Sequence, residues 1–178
     1  MGFFRRRLGL ATFVAFLVPA FGAAADTQAP SFPALKIGVS APEFSRADLT
    51  GKRVDLRAFR GKVVLLDFWA SWCAPCILEI PHLIALQRQL GPRGLQVIGV
   101  SMDDSAAPVI KLTRRIAFNY PVLLGDAKLG TRYGGVYGLP IRILIARDGT
   151  ILRIWKGDLV PAILETTLKS VVSGPSAR

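Results

Sequence analysis

The sequence is poor in sulfur, in acid and in histidine. Its 178 residues hold two cysteines, two methionines and one histidine, and 12 acidic residues stand against 23 basic ones, a formal net charge of +11. One histidine, His82, and a single pair of cysteines, Cys73 and Cys76, leave no cluster with metal-ligand spacing, so no metal or cofactor is expected. Asp103 and Asp104, following Met102, read as solvated loop acids. The basic residues are scattered in short groups such as Lys111, Arg114 and Arg115. No aromatic residues are interleaved with them for stacking, which argues against a nucleic-acid partner and for a solvated basic face. Internal repeats and low-complexity segments are absent. A long apolar run is missing too: residues 8–22 fall short of the ~20 residues that a spanning helix needs, and they contain Pro19.

What stands at the start is Met1-Gly2-Phe3-Phe4-Arg5-Arg6-Arg7, then that apolar run, then Ala23-Ala24-Ala25. These are the charged, apolar and small-residue parts of a secretory signal peptide, and cleavage after Ala25 is expected, with an uncleaved membrane anchor as the alternative. No cysteine lies near the cleavage point to carry a lipid. Without Arg5, Arg6 and Arg7 the charge is still +8. Residues 26–35, with Pro30 and Pro33, read as a flexible lead-in, residues 36–172 as one domain, and residues 173–178 as a tail. About half of the chain is apolar (51%), enough to close one core.

Residues 63–76, Val-Val-Leu-Leu-Asp-Phe-Trp-Ala-Ser-Trp-Cys-Ala-Pro-Cys, organise the rest. An apolar run of strand length feeds a helix-compatible segment in which Pro75 takes the first turn without losing a hydrogen bond. The free N–H groups and positive dipole end of such a helix stabilise a thiolate, which makes Cys73 the expected nucleophile. The two-residue spacer lets Cys76 curl back within bonding range as the resolving thiol, so the pair cycles between dithiol and disulfide. A structural bridge is the alternative, although closing so short a loop removes little entropy from the unfolded chain.

Asp67-Phe68-Trp69-Ala70-Ser71-Trp72-Cys73-Ala74-Pro75-Cys76 resembles the active-site signature of the thioredoxin superfamily. Ala41-Pro42 and Phe59-Arg60-Gly61-Lys62 narrow the resemblance to the TlpA/ResA/CcmG-type envelope thiol:disulfide oxidoreductases. It implies an α/β, thioredoxin-like three-layer fold: a central mixed sheet flanked by helices, with an added N-terminal β-hairpin. The residue pattern agrees. Residues 37–44 and 48–54 place a Gly-containing turn between two short extended stretches, which reads as the hairpin. Helical spacing runs from Ile77 to Leu90 with Pro81 inside it, residues 95–101 read as a strand, and residues 105–118 as a second helix. A short strand at 120–124, a turn or short helix at 126–133, strands at 141–146 and 150–156 and a helix at 159–172 complete the domain.

The resemblance also distributes roles. Leu139-Pro140 before a strand resembles the cis-proline loop that faces the dithiol and offers backbone groups to an extended client peptide; an ordinary trans turn is the alternative. Trp72, Ala74 and Pro75 complete the expected substrate-binding surface. Asp67 lies in an apolar strand, where desolvation raises a carboxyl pKa, and is the expected acceptor of the Cys76 proton; a salt-bridged or solvated acid is the bland reading. Glu79 shares a helix face with Cys76 and is expected to share the acid–base work, unless it only answers the helix dipole. His82 lies on the side of the helix leading away from the dithiol and carries no catalytic expectation. One departure stands out: after the proline the family usually has Thr, an aromatic and Ile-Asp, whereas here the chain reads Ile141-Arg142-Ile143-Leu144-Ile145-Ala146-Arg147.

The expected activity is an exported thiol:disulfide oxidoreductase that reduces protein disulfides. The Ala74-Pro75 spacer has no histidine or charge to over-stabilise the thiolate, which keeps the pair reducing. The resemblance implies a disulfide-containing client such as apocytochrome c or a copper-site protein, a membrane electron donor of CcdA or DsbD type, and a monomeric protein of the periplasm or cell envelope. The competitors are a peroxidase, which should carry Thr rather than Trp69 four positions before its cysteine, a copper-binding module, which should show CxxxC and a distant His, and a DsbA-like oxidase.

Overall fold

The computed structural model describes residues 1–2 and 35–174. The expected leader from residue 3 onward, residues 26–34 of the lead-in and residues 175–178 of the tail lie outside the described residues.

Among the described residues the elements run β1 (Ser45–Ala47), β2 (Arg53–Asp55), β3 (Val63–Trp69), α1 (Ala74–Leu90), β4 (Leu95–Ser101), α2 (Ala106–Thr113), β5 (Val122–Leu124), α3 (Ala127–Arg132), β6 (Ile141–Ile145), β7 (Ile151–Lys156) and α4 (Pro161–Ser173). The five-stranded sheet has the order β5-β4-β3-β6-β7, and β1 and β2 form a separate antiparallel hairpin. β3, β4 and β5 pair in parallel, whereas β6 runs antiparallel to β3 and β7 antiparallel to β6.

Every residue of β3 is buried, because both faces of the sheet are covered. Val63, Leu65 and Trp69 point to the side packed by Ile80 and Leu83 of α1, Val109 of α2, and Leu164 and Leu168 of α4. Val64, Leu66 and Phe68 point to the other side, against Val54 of the hairpin, Leu129 of α3 and Phe44. The result is the expected three-layer arrangement with a mixed sheet in the middle and a hairpin added before it.

The elements follow from local sequence. In α1, Ile80, Leu83, Leu86 and Leu90 recur at helical spacing and form the buried stripe, and the helix gives way at Gly91-Pro92. The hairpin is displaced from its expected place. Its strands lie at Ser45–Ala47 and Arg53–Asp55 because the Asp48 carboxylate gathers the turn, accepting from the Thr50 and Lys52 amides at 2.8 and 3.0 Å. Residues 38–41 instead run beside the β6–β7 turn, with hydrogen bonds from the Gly38 amide to the Ile151 carbonyl and from the Ala41 amide to the Gly149 carbonyl. Gly149 has φ +86, and a Cβ there would fall on the Arg60 guanidinium, which donates to the Asp148 carbonyl and pairs with Glu43 at 2.5 Å. The second helix is also shorter than expected and stops at Thr113. Phe118, which would have extended it, stacks on Trp69 at 5.8 Å and meets Tyr120 edge-on at 5.4 Å.

Leu168 of α4 is fully buried against the sheet whereas Leu78 of α1 is 82% exposed. Leu168→Ala should destabilise the fold by about 2–4 kcal/mol and Leu78→Ala by less than about 0.5 kcal/mol, measured by urea unfolding of the oxidised protein.

Candidate active site

β3 delivers the chain at Trp69 to a short loop that leads into α1. Asp103, just past β4, pins that loop. Its carboxylate accepts from the Ser71 amide at 2.9 Å, the Ser71 hydroxyl at 2.6 Å and the Ser101 hydroxyl at 2.6 Å. The Met102 amide also donates to the Trp69 carbonyl at 2.7 Å. Asp103 is therefore buried, not the solvated loop acid expected. Parallel pairing sets the ends of β3 and β4 side by side, and the loop amide between them needs an acceptor.

Cys73 is the N-cap of α1, and its Sγ accepts from the Cys76 amide at 3.4 Å. The two cysteines are joined in a disulfide. They are largely covered, 5% and 3% exposed, while Trp72 beside them is 70% exposed and Ala74 and Pro75 are also exposed. The Leu139–Pro140 bond is cis. The pairing of Phe68 with Ile141 sets Pro140 at the end of the sheet where β3 gives way to the Cys73 loop, and half-buried Leu139 packs against the apolar cluster that holds both cysteines.

Asp67 and Arg142 stand opposite each other on β3 and β6, on the face shared with Leu65 and Leu144 and covered by α1. Arg142 is fully buried. Its guanidinium pairs with Glu79 of α1 through Nη2, faces Asp67 Oδ1 through Nε at 3.8 Å, and donates through Nη1 to the Gly157 carbonyl at 3.2 Å. Burial pushes the Asp67 carboxyl up to about 6, with the Arg142 charge pulling the other way. Burial also draws the Arg142 pKa down, opposed by Asp67 and Asp158. The Tyr120 phenol is pushed up by burial and by the Asp67 charge.

Glu79, expected to act beside Asp67, has one oxygen committed to Arg142, and its Oε1 is buried with no hydrogen-bond partner. It lines a cavity of about 270 Å³ together with Pro75, Leu78, His82 and Asp158. His82, expected to lead away from the dithiol, shares that cavity with Pro75. Among the described residues no group of His, Cys, Asp and Glu could hold a metal ion. Arg142 and Asp103 are the site residues that sequence reasoning missed. A signal for Arg142 was present, since a lone cation in the otherwise apolar run Ile141-Arg142-Ile143-Leu144-Ile145 demands a counter-charge once buried.

Residues 37–154 match the AhpC/TSA family. The thiol-disulfide oxidoreductase ResA of Bacillus thuringiensis subsp. konkukian (strain 97-27) is 32% identical over 137 residues, which are 77% of this chain and 79% of that protein. Among solved structures, a protein of Chlorobium tepidum described as thiol:disulfide interchange protein DsbE superposes with a TM-score of 0.74 at 31% identity, over 79% of this chain and 100% of that one. A thiol:disulfide interchange protein from Bacteroides sp. gives a TM-score of 0.68 at 28% identity, over 79% of this chain and 92% of its own. With the Cys73–Cys76 disulfide at the mouth of α1, these likenesses define the class as a thioredoxin-fold thiol:disulfide oxidoreductase. The chain belongs to the AhpC/TSA family, in which it is similar to ResA and DsbE proteins.

The raised Asp67 pKa has a consequence for stability. Folding takes up a proton at this carboxyl, so the contribution of Asp67 to stability is fully present below the unfolded value of 3.8 and is lost as pH rises through about 6. Asp67→Asn should abolish that loss. The oxidised variant should gain on the order of 2 kcal/mol over the parent protein between pH 4 and pH 8, read from urea midpoints; parallel pH dependences would contradict a raised carboxyl. Asp103→Ala should cost about 2–3 kcal/mol in the same measurement, because the Ser71 amide and two hydroxyls lose their acceptor.

Proposed function

We propose that this chain is exported and reduces protein disulfides in the cell envelope, with Cys73 attacking and Cys76 resolving. The position of Cys73 at the N-terminus of the 17-residue helix α1, its sulfur already taking the Cys76 amide, carries this assignment. In the reduced protein the same amides and the helix dipole favour a Cys73 thiolate. That thiolate attacks one sulfur of the client disulfide, the client S–S bond breaks, and the other client sulfur leaves as a thiolate. The Asp67 carboxylate takes the Cys76 proton, and the Cys76 thiolate attacks Cys73 Sγ in the mixed disulfide. The client departs with both sulfurs reduced, and two electrons have passed from the dithiol as Cys73–Cys76 closes.

The backbone groups of Leu139 form no hydrogen bond among the described residues, which suits them to an extended client segment added as a short strand beside Pro140. Exposed Trp72, Ala74 and Pro75 flank that position in the proposal. Glu79 assists Asp67 through their shared partner Arg142. The uncharged Ala74-Pro75 spacer supports the reducing direction, and residues 1–25 support export. By resemblance, apocytochrome c or a copper-site protein is the client, a CcdA- or DsbD-type membrane protein the electron donor, and the chain acts as a monomer.

Cys73→Ser should abolish reduction of insulin disulfides, and Cys76→Ser should strand Cys73 in mixed disulfides whose partners mass spectrometry identifies. Equilibration of the parent protein with a glutathione redox buffer should leave the pair reduced only at high thiol excess; ready reduction at low excess would mark an oxidase instead.

A further inference from the structure

A buried cation, Arg142, ties β6 to β3, α1 and the loop after β7. Arg142 comes two residues after cis-Pro140, is fully buried, and spends its three guanidinium nitrogens on three different elements: Nε toward Asp67 of β3, Nη2 on Glu79 of α1, and Nη1 on the Gly157 carbonyl after β7. The charged and titratable groups facing this cluster are Asp67 from β3, Glu79 from α1, Tyr120 ahead of β5, and Asp158 after β7, with His82 lining the cavity that Glu79 and Asp158 share. Arginine keeps its proton at any working pH, so the charge it brings to this core is fixed.

We propose that Arg142 is a positioning residue for proton transfer at Cys76: its guanidinium holds the Asp67 carboxylate ionised and in place beneath the first turns of α1. This rests on the assignment of Asp67 as acceptor of the Cys76 proton.

A carboxyl on a strand covered on both faces is neutral unless a cation compensates it, and a neutral Asp67 cannot accept a proton. Arg142 is the cation within reach of Asp67 in the structure, and it acts against burial on that carboxyl. Glu79 competes for the same guanidinium, so more of Arg142 for Glu79 means less for Asp67. Placement follows from the same contacts. Because Arg142 bridges β6, β3, α1 and the loop after β7, it also fixes the acid-bearing turn of α1 relative to Pro140.

Two readouts test this on the reduced full-length protein. Carbon-13 NMR titration follows the Asp67 carboxyl directly. Stopped-flow reaction with the chromogenic disulfide 5,5′-dithiobis(2-nitrobenzoate) releases one thiolate on attack by Cys73 and a second on resolution by Cys76. In Arg142→Met the Asp67 titration and the pH midpoint of the second phase should both move up by about one unit or more, with the second phase at least about twofold slower at pH 7, about tenfold if the shift reaches two units, and the first changed far less. Arg142→Lys should restore most of the profile. Glu79→Gln should move both midpoints down, and it carries the test if Arg142→Met does not fold. A second phase whose pH profile is unchanged in Arg142→Met, or unchanged or raised in Glu79→Gln, overturns the proposal, as does a shift that Arg142→Lys fails to rescue. Absence of the first phase in the parent protein would refute the assignment of Cys73, and the role of Arg142 with it; a normal first phase with an unshifted second refutes the role of Arg142 alone.

Discussion

A strand covered on both faces has no water with which to solvate a charge, so an ionisable group in β3 must stay neutral or find its partner inside the fold. β3 is such a strand, and Asp67 is its ionisable group. The surrounding packing answers to that constraint: Arg142 enters from β6 and Glu79 reaches down from α1. An ion cluster of this kind is a poor source of stability, since the cost of desolvating three charged groups offsets most of their attraction. In the proposed function it serves chemistry instead, holding a carboxyl whose pKa burial raises to about 6 on the sheet face that α1 covers.

Reactivity and cover are separated along α1. The sulfur atoms lie almost out of reach of solvent in the disulfide form, whereas the residues around them, Trp72, Ala74, Pro75 and Leu78, are open. The loop that makes this presentation possible owes its shape to Asp103, whose hydrogen bonds to Ser71 and Ser101 tie the end of β4 to the residues just before Cys73.

The dithiol, the helix that follows it, the central strands and the terminal helix were legible in the sequence, since each is written in a few consecutive residues: Cys73-Ala74-Pro75-Cys76, the spacing of Ile80, Leu83 and Leu86, the apolar runs of β3 and β4. The hairpin was expected in kind but not in place, because the side chain of Asp48 moves the turn toward its own hydrogen bonds. Asp103 looked like a loop acid until the parallel pairing of β3 and β4 put an unpaired amide beside it. Arg142 looked like an oddity in an apolar strand.

The sequence by itself determined the redox pair, its helical setting and the alternation of strands and helices, for these depend on periodicity, capping and spacing that act within a turn or two of chain, and the resemblance of its dithiol motif implied the three-layer class of fold. Only the tertiary structure decided which charges meet. Asp67, Glu79 and Arg142 are brought together by the order and register of β3 and β6 and by the seating of α1 across them. Electrostatic energy in a dry core depends on through-space distance and burial, which no local stretch of sequence encodes.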